Sequence, residues 1–141
     1  MTGVVVDAST ALAWCFPDEG SDYADRVLVA VEGRTILVPA LWNLEIANAI
    51  LVGERKKRLR PAEIRRFAAL LGGLSLVQDV QSASEDLSAV LPLARKYGLS
   101  AYDAAYLELA IRRGAPLATL DGKLLRAAQQ AGVKIFAGES T

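Results

Sequence analysis

The apolar positions of this chain fall into two kinds of run. Short, solid, β-branched runs predict strands over residues 4–6, 35–38, 75–77, 117–120 and 133–136, the first of them buried on both faces as in a parallel sheet. Between them, apolar residues recur at helical spacing and predict helices over residues 8–16, 22–31, 40–57, 61–72, 84–97, 101–113 and 123–131. The punctuation agrees with the periodicity. Ser21, Ser100 and either Ser82 or Ser84 stand as N-caps, Pro61 opens a first turn, and Gly98 and Gly114 fall where helices should stop. Strands and helices alternate through both ends of the chain, with an all-helical stretch between. That pattern predicts one α/β domain over residues 1–141, with a mostly parallel sheet of about five strands flanked by helices. Residues 137–141 read as a frayed tail.

Carboxylates interrupt this pattern at telling places. The first apolar run stops at Asp7, followed by Ala8 and the hydroxyl residues Ser9 and Thr10, where a buried strand hands over to a helix. Ligands of open α/β sheets bind outside the carboxyl ends of the strands, so an acid there is a candidate site residue. Asp121 follows Thr119 and Leu120 at the end of another strand. Asp103 is the third residue after Ser100 and lies in line with Tyr106, Leu107 and Ala110, the inward stripe of its helix. Taken singly, all three are explained as helix caps or turn residues. Glu45 is not. Between Ile36 and Val52 only Asn43, Glu45 and Asn48 are polar, and no basic residue shares its helix face. An unpaired carboxylate in apolar surroundings costs several kcal/mol. Glu108, by contrast, has Arg112 four residues on and is expected to pair with it on the solvent side.

Composition narrows the chemistry. The chain has no histidine and a single cysteine, Cys15, inside an apolar run. Ser-His-Asp triads, Cys-His pairs and His-ligated zinc are thereby excluded. Acids that converge repel one another, and a bound cation is the usual remedy. With hard oxygen donors alone, that cation is Mg²⁺ or Mn²⁺. Net charge is zero but unevenly spread: residues 1–54 hold eight acids and two bases, residues 55–66 seven bases and one acid. The run Arg55, Lys56, Lys57, Arg58 and Arg60, with Arg65 and Arg66, is a candidate phosphate-contacting face, or a surface for an acidic partner. Trp14 and Trp42 lie in apolar runs and are expected in the core. No run of 18 apolar residues is present, and the first apolar run carries no basic leader, so a cytoplasmic protein without membrane contact is expected.

Val5-Val6-Asp7-Ala8-Ser9, a glutamate in an apolar helix after Val38-Pro39, Tyr102-Asp103-Ala104-Ala105-Tyr106 and Ala118-Thr119-Leu120-Asp121 occur here in an order and spacing that resembles the PIN-domain ribonucleases. Within them the chain looks like the VapC type, the toxin half of bacterial toxin–antitoxin pairs. The resemblance spans essentially the whole chain and implies a Rossmann-like fold and a Mg²⁺- or Mn²⁺-dependent endoribonuclease. It implies that Asp7, Glu45, Asp103 and Asp121 form the acidic, metal-holding quartet, with Ser9 and Thr119 supporting it through ion-bound water or a phosphate oxygen. It also implies RNA as substrate, a small VapB-like antitoxin and a homodimer as partners, and products with 5′-phosphate and 3′-hydroxyl ends. The alternative is a PIN-fold RNA- or protein-binding module without catalysis. A haloacid-dehalogenase-like phosphatase needs a second aspartate two residues after the first, where this chain has Ser9. A receiver domain fits poorly at residues 75–79.

Overall fold

A computed structural model describes residues 3–137. Val4–Val6 form β1, with relative exposures of 0, 0 and 1%. Side chains so completely withdrawn from water contribute about 1.5–3 kcal/mol each and fix this strand in the middle of the core. β2 (Thr35–Pro39) pairs with it in parallel, Val4 opposite Ile36, and β3 (Ser75–Asp79) pairs in parallel with the other edge of β2. β4 (Leu117–Ala118) lies on the far side of β1, Val5 opposite Leu117, also in parallel. Among the described residues the sheet thus has four strands in the order β3-β2-β1-β4.

The segment expected as a fifth strand, residues 133–136, adds one bridge only, Ile135 to Leu117. β4 is two residues long and offers no more edge to pair with. The expected tail, beyond Ala137, lies outside the described residues.

Helices flank the sheet. α1 (Ala8–Ala13) follows β1 directly, and α2 (Asp22–Ala30), capped by Ser21, leads to β2. α3 (Trp42–Arg55) and α4 (Pro61–Gly72) precede β3; α5 (Ala83–Tyr97) and α6 (Ala101–Arg113) return the chain across the sheet to β4. α7 (Gly122–Gln130) follows β4. Ser82, not Ser84, caps α5, its hydroxyl accepting from the Glu85 N–H while Glu85 reaches back to the Ser82 N–H. Gly98 and Gly114 end α5 and α6 with φ of 63° and 59°, left-handed conformations that favour glycine.

α6 packs against β1, β2, β4, α5 and α7 and is the most deeply set helix: Ala104, Tyr106, Leu107, Leu109 and Ala110 are each at most 1% exposed. α3 differs from its expected role. Its composition suggested no solvated face, yet Leu44 is 76% and Leu51 43% exposed, and only Trp42, Ile46 and Gly53 are buried. The helix lies against α1, with Ala49 and Ile50 partly buried against the core, while Leu44 and Leu51 face outward. Trp42 and Cys15 are in the core, and Trp14 is half-buried with its indole N–H donating to the Ala24 carbonyl at 2.8 Å. Among the described residues no helix is long and apolar enough to cross a membrane.

Candidate active site

The strand order places β1 and β4 side by side although the chain reaches them from opposite directions. Such a reversal opens a crevice beyond the carboxyl ends of the strands. Asp7 enters it from β1, and Thr119 and Asp121 enter from β4. The Asp7 N–H donates to the Ala118 carbonyl at 3.1 Å, which ties the two strand ends together. From above, α6 contributes Asp103 in its first turn, and α3 contributes Glu45. The resulting pocket, of about 350 Å³, is lined by Asp7, Ser9, Glu45, Asn48, Asp103, Tyr106 and Asp121, with Ala8, Leu12 and Ala49.

Asp7 is the best-held of the acids. It is 4% exposed, caps α1 by accepting from the Thr10 N–H at 3.0 Å, and takes a hydrogen bond from the Ser9 hydroxyl at 2.8 Å. The Thr119 hydroxyl donates to Oδ2 of the same carboxylate. The Ser9 and Thr119 hydroxyls, expected beside the acids, both donate to Asp7. Their oxygens accept from the Leu120 and Asp121 N–H groups at 3.1 and 3.0 Å, so each hydroxyl is a strut between the carboxylate and the loop after β4. α1 is six residues long and its first-turn Thr10 N–H is already given to Asp7, so its terminus adds little field for a substrate anion.

Asp103 has its own N–H satisfied by the Ser100 hydroxyl at 3.1 Å. Asp121 caps α7 by accepting from the Lys123 N–H at 2.9 Å. Glu45 accepts a hydrogen bond from the Tyr106 hydroxyl. None of the ion pairs among the described residues reaches any of these four acids.

The electrostatics follow from that isolation. Burial pushes the Asp7 carboxyl above its ordinary range, with Thr119, Thr10 and Ser9 pulling the other way. Burial also raises Glu45, against the Tyr106 hydrogen bond, and the charges of Asp7 and Asp103 raise it further. Asp103 is raised by burial and by the neighbouring Asp121 carboxylate, partly offset by Ser100 and Lys123. The Tyr106 hydroxyl is driven far up by burial and by Glu45 and remains protonated.

Negative charge concentrated in one pocket, with no ion pair to it among the described residues, invites a cation. The donor set is wholly carboxylate and hydroxyl oxygen, which fits Mg²⁺ or Mn²⁺ and gives no purchase to softer metals. Among the described residues, no three acidic or thiol side chains converge as a finished ligand set. Asp7, Asp103, Asp121 and Glu45 are the residues that could hold such an ion.

Tyr106 and Asn48 entered the pocket unannounced. The signal was spacing: Tyr106 is three residues after Asp103 on α6, and Asn48 three after Glu45 on α3, one turn along the same faces. The basic run lies elsewhere. Arg55, Lys56, Lys57, Arg60, Arg65 and Arg66 are exposed. Arg58 is not available as expected: its guanidinium grips Asp18 at 2.9 and 3.0 Å, bonds Glu19, and stacks 4.5 Å from the Phe16 ring centroid. Glu108 does pair with Arg112, at 2.8 Å, but is 7% exposed and buried rather than on the solvent side, because α6 is covered there by α5 and the end of β3.

The chain belongs to the PIN domain family, whose profile matches residues 4–130. Ribonuclease VapC3 of Pyrobaculum aerophilum is 35% identical over 121 residues, which cover 86% of this chain and 91% of that relative. The crystal structure of PAE2754, also from Pyrobaculum aerophilum, matches with a TM-score of 0.67 at 27% identity, covering 89% of this chain and 79% of that one. FitAcB from Neisseria gonorrhoeae shares the fold, with a TM-score of 0.60 at 16% identity over 94% of this chain and 96% of that one.

Proposed function

We propose that this protein is a VapC-type endoribonuclease toxin that hydrolyses RNA phosphodiester bonds with Mg²⁺ or Mn²⁺. The observation that carries the reading is the one pocket that Asp7, Glu45, Asp103 and Asp121 all line, none of them in an ion pair among the described residues. Its likeness to Ribonuclease VapC3 supports RNA as the substrate. Asp7, Asp103 and Asp121 would hold the ion, and Glu45 would either join them or orient the attacking water. Such an ion would supply Lewis acidity toward a phosphate oxygen and activate water as the nucleophile. Ser9 and Thr119 keep Asp7 aimed by fixing both of its oxygens. Exposed Arg55, Lys56, Lys57 and Arg60 contact the RNA backbone away from the reacting bond.

The same reading gives the protein a cytoplasmic place, one domain over residues 1–141, a VapB-like antitoxin and a homodimeric form. Leu44, Ala47 and Leu51 support a partner surface, since they form an exposed apolar stripe on the helix that carries Glu45.

The test is cleavage of total bacterial RNA and a tRNA pool by purified, partner-free protein with Mg²⁺, with Mn²⁺ and with EDTA. Discrete fragments ending in 5′-phosphate and 3′-hydroxyl, absent with EDTA, are expected. Metal-loaded, folded protein that leaves all RNA intact would instead favour a non-catalytic binding module.

A further inference from the structure

α6 carries more of the site than its aspartate. Tyr106, one turn beyond Asp103, is 1% exposed on a helix that packs against β1, β2 and β4. A ring so confined has one orientation open to it. Its hydroxyl donates to Glu45 Oε1, a contact that joins residues 61 apart in the chain. Glu45 is placed quite differently. It extends from α3, a helix with few buried residues, on a side chain with three rotatable torsions. No other hydrogen bond and no ion pair holds its carboxylate among the described residues, so Oε2 has no partner there, and Glu45 lines the pocket. A carboxylate on a long, torsionally free side chain is therefore held by a buried side chain of the pocket wall.

From this we infer that Tyr106 is a positioning residue: its hydroxyl sets the Glu45 carboxylate over the acidic pocket so that Oε2 points at the ion or its water. The inference rests on the nuclease reading above and deepens it. α6 then sets two of the four acids at once, Asp103 through its own backbone and Glu45 through a phenol one turn later. A tyrosine ring without its hydroxyl would fill the same space and leave Glu45 to swing with α3.

The experiment compares wild type, Tyr106→Phe, Glu45→Gln and the double variant by calorimetric Mn²⁺ titration, with single-turnover cleavage of a tRNA pool as the second readout. Removing an outer-shell hydrogen bond to a ligand weakens metal binding or activity by about 10- to 100-fold. Tyr106→Phe is expected to show that loss with wild-type circular dichroism, and to add nothing to Glu45→Gln, since the hydroxyl acts only through that carboxylate. Glu45→Asp keeps the charge but falls short of the hydroxyl, and it should show the same weakened Mn²⁺ binding. Either Tyr106→Phe or Glu45→Asp binding Mn²⁺ as wild type does would overturn the inference. Equal losses from Tyr106→Phe in both backgrounds would overturn it as well. Wild type that binds Mn²⁺ but cleaves no RNA would defeat the nuclease reading alone, because the Mn²⁺ comparison still decides the role of Tyr106. Wild type that binds no Mn²⁺ would defeat both.

Discussion

α6 holds carboxylates at both ends, and they live under opposite conditions. Toward its C-terminus, Glu108 is buried against Arg112, and Asp79 of β3 takes hydrogen bonds from Arg112 and Arg113, with Gln81 donating to Glu108 at 3.2 Å. There every acid has a cation, and Asp79 is held below its ordinary range chiefly by the Arg112 hydrogen bond. At the N-terminal end, Asp103 shares a pocket with Asp7, Glu45 and Asp121 and no arginine enters. There Asp7, Glu45 and Asp103 are all pushed up. Two acidic clusters on one helix thus differ in who supplies the positive charge. The first is completed by the chain itself and fastens β3 to α6. The second is left incomplete by the chain, which is what a cation-dependent site requires.

That contrast can be broken from either side. The largest effect belongs to Asp7→Asn, which keeps the shape but removes the best-held charge. RNA cleavage should fall at least about 100-fold, given the several kcal/mol that an ion contributes to charge stabilisation. Single-turnover rates on a tRNA pool would show it; a loss smaller than tenfold would mean that Asp7 is a cap and little more.

Arg112→Ala attacks the paired cluster. It strips Glu108 of its cation in a buried setting and should cost about 1–2 kcal/mol of stability, below the range for a fully buried pair because the guanidinium is more than a third exposed and screened by water. Urea unfolding measures this, and folded Arg112→Ala should still cleave RNA at close to the wild-type rate.

A smaller effect, and one of opposite sign, is expected of Glu45→Gln in metal-free protein. A carboxyl whose folded pKa is raised binds its proton more tightly when folded. Its contribution is present in full below the unfolded value of 4.5 and is lost as pH rises through the raised folded value. Glutamine mimics the protonated form, so the variant should melt above wild type at pH 7, and the gap should close below pH 4.5. Asp79 behaves in the reverse sense: its stabilisation is present above 3.8 and is lost as pH falls through its depressed value.

Smallest of all are the exposed bases. Lys56→Ala and Lys57→Ala should each weaken RNA binding modestly and reduce the salt slope by about one. Arg58→Ala should leave that slope unchanged, because Arg58 is already engaged by Asp18 and Glu19.

Much of the acidic crevice could be read from the chain alone because its signals are local. Asp7 and Asp121 stand directly after buried strands, and Asp103 one turn after a capping serine, so strand ends and helix starts mark them without any tertiary knowledge. What escaped was pairing across long separations. Arg58 reaches residues 39 and 40 positions away, and Arg112 reaches Asp79, 33 positions away. Neither partner leaves a trace in local periodicity. The hydroxyls of Ser9 and Thr119 were identified as neighbours of the site but not as struts, since the Thr119 bond to Asp7 spans 112 positions. Glu45 stood out through a premise that only partly holds: its helix is apolar but not enclosed, and a composition cannot say which apolar residues are covered. The fifth strand failed for a related reason. Residues 133–136 have the composition of a strand, but pairing needs an edge, and β4 supplies two residues of it.

The most direct test of the contrast is a calorimetric Mn²⁺ titration of metal-free wild type beside Asp7→Asn and Arg112→Ala. Saturable binding by wild type and Arg112→Ala, abolished in Asp7→Asn, is the expected result, with wild type gaining about 2.7 kcal/mol of stability at an Mn²⁺ concentration 100 times the Kd. Wild type that binds no Mn²⁺, or Asp7→Asn that binds it equally well, would contradict the claim that these unpaired carboxylates await a cation.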